Sequence, residues 1–207
     1  TLLYIRTFFD YCCLHLPIMS IEKIIKQRRS IDPDHYNGKP VAKEIIEKML
    51  EAANWAPTHG LTDPWRFVVY SGEQVPAFGA MHADIYKQFT PAEQFLQKKY
   101  DKISNRSMHC SHVIACAMHP GNKKNIPELE EIAATACAIQ NMLLVATEYH
   151  IGTFWSTGGM CYHPEMKKNI GFEDTDQILA ILYIGHYDID TPNGIRPSGW
   201  EDKVIWK

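Results

Sequence analysis

The chain has 207 residues, of which 45% are hydrophobic and 22% charged, a composition typical of one globular domain with a substantial core. The formal net charge of −3 gives no basic face, so we expect no nucleic-acid partner. The six cysteines include no CxxC pair and have no histidine partner at metal-ligand spacing, so no zinc site is predicted. Cys116 and Cys137 fall inside apolar segments and should be small buried side chains, which favours a reducing cytoplasm.

The first residues do not have the pattern of a signal peptide, because Arg6, Asp10 and His15 interrupt the apolar stretch that such a peptide needs. We interpret residues 1–18 as an N-terminal extension, native or artefactual, and residues 19–207 as a single domain. The longest stretch without formal charge, 132–147, is shorter than the ~20 residues that a membrane-spanning helix needs. We therefore expect a core helix there and no membrane partner.

Hydrophobic periodicity and prolines predict the elements of the first half. In chain order they are a helix over 20–29, an amphipathic helix over 43–55, a loop over 56–63, a strand over 66–71 and helices over 76–89 and 91–103. Ser20 is the predicted N-cap of the first helix, and Arg28 and Arg29 lie in its last turn, where the helix dipole favours cations even without a ligand. Adjacent arginines point to different sides of a helix, so at most one should face a given phosphate.

The second half is predicted in the same way, as a strand over 112–118, a long helix over 127–150, a loop over 153–159, a short helix over 163–169 and a strand over 177–185. The long helix is apolar nearly all round between residues 133 and 145 and should be buried on most sides, most easily if a second subunit covers one face. Strands separated by helices predict an α+β or three-layer arrangement around a central sheet.

Three short segments carry the functional prediction. Arg28-Arg29-Ser30 offers two cations and a hydroxyl that suit a phosphate group. Residues 56–59 run into Pro64-Trp65, and residues 154–159 form a glycine-flanked run whose backbone can approach a flat ligand closely. Each segment alone has an ordinary explanation, such as a solvated helix end or a turn before a strand. Their order along the chain makes them informative together.

In that order, the three segments resemble the flavin mononucleotide (FMN) site of the nitroreductase family, over about residues 19–206. The resemblance implies an α+β, nitroreductase-like three-layer fold with a central sheet flanked by helices, in a homodimer with flavin at the interface. It implies FMN as cofactor and NAD(P)H as co-substrate. It also implies reduction of a small acceptor, such as a nitroaromatic or a quinone, by a ping-pong mechanism.

The resemblance also carries over individual positions. Phosphate and ribityl contacts fall on Arg28, Arg29, Ser30 and Arg196, positions along the isoalloxazine ring on Trp155, Ser156, Thr157 and Gly158, and positions near the ring or ribityl chain on Trp55 and His59. Three of these have simpler explanations, since Arg196 and His59 also suit an exposed loop and Trp155 also suits a core. The chain has Asp63-Pro64-Trp65 where relatives more often have Gln or Asn before Pro-Trp, which puts an amide contact there in doubt.

No catalytic side chain is predicted, because the flavin itself carries the hydride. The same fold also serves other functions, so the resemblance leaves two alternatives open. One is another flavin enzyme, dehalogenase-like or flavin-degrading. The other is a flavin-binding protein without catalysis, which NADPH would fail to bleach under anaerobic conditions.

Overall fold

The computed structural model describes residues 20–123 and 125–207, so the interpretation of residues 1–18 lies outside the described part. Its first helix, α1, is Ile21–Gln27, and the hydroxyl of Ser20 accepts the N–H of Lys23, as predicted for an N-cap. The predicted end of α1 is wrong. Arg28 is already extended, because the chain turns to run beside a strand and Ile31 donates its N–H to the carbonyl of Thr153.

The remaining helices are α2 (Lys43–Asn54), α3 (Gln74–Phe89), α4 (Gln97–Asn105), α5 (Glu128–Glu148) and α6 (Pro164–Ile170). Of the predicted helices, only the one over 91–103 is clearly misplaced. A short 3₁₀ turn, Ala92–Gln94, and extended residues precede α4, since Leu96 donates its N–H to the buried hydroxyl of Tyr86. A tertiary hydrogen bond thus outweighs the local helical pattern.

The strands are β1 (Trp65–Ser71), β2 (His112–Met118), β3 (Gly152–Ser156) and β4 (Gln177–Gly185). The predicted loop over 153–159 is wrong in its first half. Thr153, Phe154 and Trp155 favour extended backbone and pair with β4, so that the loop begins only after Ser156. Trp155 and Ser156, predicted in a loop along the ring, are therefore strand residues.

The four strands form one antiparallel sheet in the order β1-β2-β4-β3. A bulge interrupts β4, because Cys116 pairs with Ala180 whereas Ala117 pairs with Ile178. Leu179 is thus an extra residue on β4, and it faces the same side as Ala180. The alternation of β4 side chains between the two faces of the sheet is interrupted at this point. β4 pairs directly with β3, and β2 separates it from β1.

Helices cover both faces of the sheet. On one face Ile114 and Leu182 pack with Met49 of α2 and Met142 of α5. On the other face Val113 and Tyr183 of the sheet pack with Phe78 of α3 and Met166 of α6, which together form a second core. The predicted α+β three-layer fold is confirmed.

Helix α5 lies at the centre of the first core. Its length and composition would let it cross a membrane, but its side chains at 138, 139, 142 and 143 are buried in that core, as expected of a core helix. One side of α5 stays open in the single chain, where Ala133 and Cys137 are exposed. Cys116 is buried as expected, but the prediction of a buried Cys137 is wrong for the single chain, because Cys137 lies on this open side.

Candidate functional site

A cluster of cations lies where α1 ends. Arg28 is half-buried, and the pKa of its guanidinium is lowered. The main cause is burial, and the nearby positive charges of Arg29 and Arg196 lower this pKa further. Within residues 20–123 and 125–207, no carboxylate lies within 4.0 Å of any of these three groups. Like charges held together without a counter-ion make this cluster a candidate site for an anion.

The fold brings this cluster to the start of β3. Ser30 forms a parallel bridge with Thr153, and the N–H of Ile31 donates to the carbonyl of Thr153 over 3.0 Å. The predicted phosphate segment and the predicted ring segment are thus neighbours in space. Ser30 is exposed and free to contact a ligand of the cluster.

A cavity of about 160 Å³ lies at the other end of β3. Its walls combine two predicted residues, Ser156 and Gly158, with residues from α3, α4 and β4 that the sequence did not single out. These further residues are His82, Lys99, Lys102, Ile103, Arg106 and Tyr183, and Gly159, the last residue of the predicted run 154–159, completes the wall.

Arg106 is the half-buried cation of this cavity. Its guanidinium carbon lies 5.1 Å from the ring centre of Phe154 and 5.9 Å from that of Tyr183. Aromatic faces attract a cation but do not neutralise it. Within the described residues Arg106 has no ion pair, so the cavity offers a half-buried, unpaired positive charge to a ligand.

His82 fixes the loop at the edge of the cavity. Its Nε2 accepts the N–H of Met160 over 3.0 Å, so in the neutral ring Nδ1 carries the proton. Burial, and then the charge of Arg106, lower the pKa of His82 to about 4, which keeps the ring neutral near pH 7. Nδ1 is buried and has no hydrogen-bond partner among the described residues.

Gly159 is required by this contact. Its φ is +67°, and a Cβ atom there would lie 2.5 Å from Nε2 of His82. A side chain would therefore be strained and would also displace the ring. The close approach explains one of the two adjacent glycines that the sequence analysis noted.

Trp155 faces away from the cavity. Its indole packs against the core on the side of α2 and α5, and Nε1 donates to the carbonyl of Leu179 over 3.1 Å. The side chain is thus the core aromatic that the sequence analysis kept as an alternative. A contact of Trp155 with a ligand in the cavity would come from its backbone.

Trp55 and His59 lie in a different region, where α2 leads into the following loop. Trp55 is 79% exposed, and its indole donates to Glu51 over 2.9 Å. His59 Nδ1 lies 2.5 Å from Oε2 of Glu130 at the start of α5. Neither residue lines the cavity of its own chain.

The loop that carries His59 is strained. Leu61 and Asp63 both have positive φ, 57° and 44°, which is uncommon for residues other than glycine. The carbonyl of Gly60 accepts a hydrogen bond from the ammonium of Lys123. These contacts hold the loop in a conformation that leaves Leu61 85% exposed.

Comparison with known proteins gives concordant matches. The model of the nitroreductase family matches residues 25–186. The chain is 30% identical to the Bacillus subtilis protein named "Putative NAD(P)H nitroreductase YfhC" over 81% of this chain and 84% of that protein.

Solved structures show the same fold. A nitroreductase-like family protein from Bacillus cereus superposes with a TM-score of 0.79 at 30% identity, covering 91% of this chain and 96% of that one. A nitroreductase with bound FMN from Bacteroides fragilis has a TM-score of 0.68 at 18% identity, with 91% and 100% coverage. Because its identity is only 18%, the match to the Bacteroides fragilis protein shows a common fold and nothing more.

Proposed function

The chain belongs to the nitroreductase family, and from this premise we propose that it is an FMN-dependent oxidoreductase that uses NAD(P)H to reduce small acceptors such as nitroaromatics or quinones. The observation that carries the cofactor assignment is the cation cluster of Arg28, Arg29 and Arg196, which no described carboxylate neutralises. A phosphate monoester fits such a cluster, because guanidinium groups bind phosphate oxygens in pairs.

The cavity at the end of β3 suits the flavin ring. When bound, FMN would accept a hydride from NAD(P)H and pass the reducing equivalents to the acceptor. Arg106 supplies a fixed positive charge in a partly dehydrated wall, where it stabilises negative charge on a bound ring without reorganisation. Gly158 leaves the backbone accessible, and Thr157 and Ser156 complete the proposed ring contacts.

His82 acts on the loop rather than on the ligand. As a neutral acceptor it holds the N–H of Met160 and so fixes the backbone of Gly158 and Gly159 beside the cavity. A protonated imidazole could not accept this hydrogen bond. The low pKa of His82 therefore keeps the loop in place at neutral pH.

The proposal includes a homodimer with the flavin at its interface. The exposed side of α5, with Ala133 and Cys137, is an apolar surface that a second copy would cover. His59 contacts Glu130, one turn before Ala133 on α5, and Trp55 is exposed at the end of α2, so we propose that they approach the flavin of the partner subunit rather than that of their own chain. In that place His59 would orient the acceptor. The proposed location is the cytoplasm.

Anaerobic spectroscopy tests the function. We expect a yellow protein with one FMN per chain, bleached by NADH or NADPH and reoxidised by a nitroaromatic or a quinone, with parallel double-reciprocal lines in steady state. A colourless protein that takes up no added FMN would refute the cofactor assignment. A flavin that no reduced nicotinamide bleaches would leave a binding protein without this catalysis.

A further inference from the structure

Arg29 ties the end of α1 to a distant segment of the chain. Its Nε donates to the carbonyl of Pro192 over 2.8 Å, and its Nη1 donates to the carbonyls of Lys26 and Arg28, each over 2.7 Å. Hydrogen bonds from a charged donor are about twice as strong as neutral ones. The guanidinium of Arg29 therefore holds segment 191–196 against the end of α1.

Gly194 is the point where segment 191–196 passes over this guanidinium. A Cβ atom on residue 194 would lie 2.6 Å from Cζ of Arg29 and nearer still to Nη2. An alanine there would push the guanidinium out of its hydrogen bonds but would leave its charge in the chain. The substitution Gly194→Ala thus separates the contact of Arg29 from its charge.

Segment 191–196 ends in the third cation of the cluster. Arg196 lies close enough to Arg28 to affect its pKa, but its own guanidinium hydrogen-bonds, among the described residues, with the adjacent carbonyl of Ile195 alone. That local bond does not fix Arg196 relative to α1. The described contact that does join its segment to α1 is the one made by Arg29.

We propose that Arg29 is a positioning residue that holds segment 191–196 so that Arg196 stands beside Arg28, and that Arg28 and Arg196, not Arg29, contact the phosphate. Three of the five N–H groups of Arg29 already serve backbone carbonyls, whereas the guanidinium of Arg28 makes no hydrogen bond to the described residues. The role rests on the proposed FMN function.

A double-mutant cycle distinguishes positioning from direct contact. Dissociation constants for FMN and riboflavin are measured with the wild type, Arg29→Ala, Arg196→Ala and the double variant. Each single variant should weaken FMN binding by about tenfold, as expected for one lost charge-assisted contact, and riboflavin binding by less than about twofold. Because Arg29 acts through Arg196, the double variant should bind FMN within about twofold of Arg196→Ala.

A second pair of variants tests the contact without removing charge. Gly194→Ala should weaken FMN binding as Arg29→Ala does, whereas its matched control, Asn193→Ala, should not. Amide hydrogen exchange over 191–196 should become faster in Arg29→Ala and Gly194→Ala, and stay unchanged in Arg28→Ala, which removes a phosphate contact but no tie to the segment.

The outcomes separate the two proposals. A wild type that binds neither FMN nor riboflavin would overturn the proposed function, and the positioning role with it. A wild type that binds FMN, with losses from Arg29→Ala and Arg196→Ala that add in the double variant, would overturn the positioning role alone. So would a Gly194→Ala protein with unchanged FMN affinity.

Discussion

Trp155 and Ser156 are adjacent on β3, yet the indole of Trp155 lies in the core beside α2 and α5, whereas Ser156 lines the cavity on the opposite face of the sheet. The bulge at Leu179 supports this arrangement, because its carbonyl accepts the indole N–H. One residue of the predicted ring segment therefore packs against the core, and the next one lines the cavity.

Trp155→Phe should destabilise the protein by about 1–3 kcal/mol, through the lost hydrogen bond and the smaller ring in the core. Urea unfolding at neutral pH measures this difference. The neighbouring substitution Ser156→Ala is the control and should change the free energy of unfolding by less than about 0.5 kcal/mol. An equally stable Trp155→Phe protein with weakened flavin binding would instead make the indole a ring contact.

Arg106→Gln should weaken binding of FMN and riboflavin alike, by about tenfold or more, because the two ligands share the ring that Arg106 is proposed to contact. Arg28→Ala should weaken FMN binding but not riboflavin binding. Fluorescence titration of the apoprotein measures both, with Lys98→Gln as the control on α4. If Arg106→Gln affects FMN alone, the phosphate and not the ring lies near α4.

The free energy of unfolding should fall as the pH drops from about 6.5 to about 4. An unfolded histidine takes up a proton below pH 6.5, but folded His82 does so only near pH 4, so acid favours the unfolded chain. The difference amounts to about 3 kcal/mol at most. In His82→Gln, which keeps an acceptor for Met160 but does not titrate, urea unfolding should show a flatter acid slope than in the exposed-site control His109→Gln.

His59→Ala should slow reoxidation of the flavin by the acceptor more than its reduction by NAD(P)H. The reason is the proposed placement of His59 at the partner's flavin, where it orients the acceptor. Stopped-flow absorbance separates the two half reactions. Glu130→Gln, which removes the charge paired with His59 but keeps the ring, is the matched variant and should show a smaller effect. Equal rates in wild type and His59→Ala would contradict the role.

Ala133→Arg, on the open side of α5, should give monomers that have lost flavin. Burying an unpaired cation in an apolar interface is costly, so the dimer should dissociate together with the site it completes. Sedimentation velocity at micromolar concentration, read at flavin and protein wavelengths, measures both. Ala80→Arg, on an exposed position of α3, is the control. A flavin-loaded monomer of the wild type would contradict the interface.

The fold was largely predictable because its elements have strong local patterns. Three elements are predicted to within two residues at each end. Their signals are the amphipathic pattern of α2, the apolar run of β2 and the proline before α5. The edge strand β3 is not predicted, because the glycines that follow it indicate a loop. Its pairing partner is β4, more than 20 residues later in the chain, so no local pattern shows the pairing.

The candidate site was predictable in part, again only where local sequence carries a motif. Arg28 and Ser30 stand in a recognisable motif, whereas Arg106 lies just past the predicted helix over 91–103 and belongs to no motif. What distinguishes Arg106 is its place over the neighbouring rings of Phe154 and Tyr183, which follows from how α4 packs on the sheet. No local pattern around residue 106 carries that information.

The hydrogen bond from Arg29 to Pro192 spans 163 positions of sequence. Synthesis proceeds from the N-terminus, so a growing chain exposes Arg28 long before residues 191–196 leave the ribosome. On the proposed arrangement, tight capture of the cofactor must wait until that late segment has emerged. A protease that cut between β4 and residue 191 would then release the cofactor without unfolding the sheet, and loss of yellow colour would report the cut.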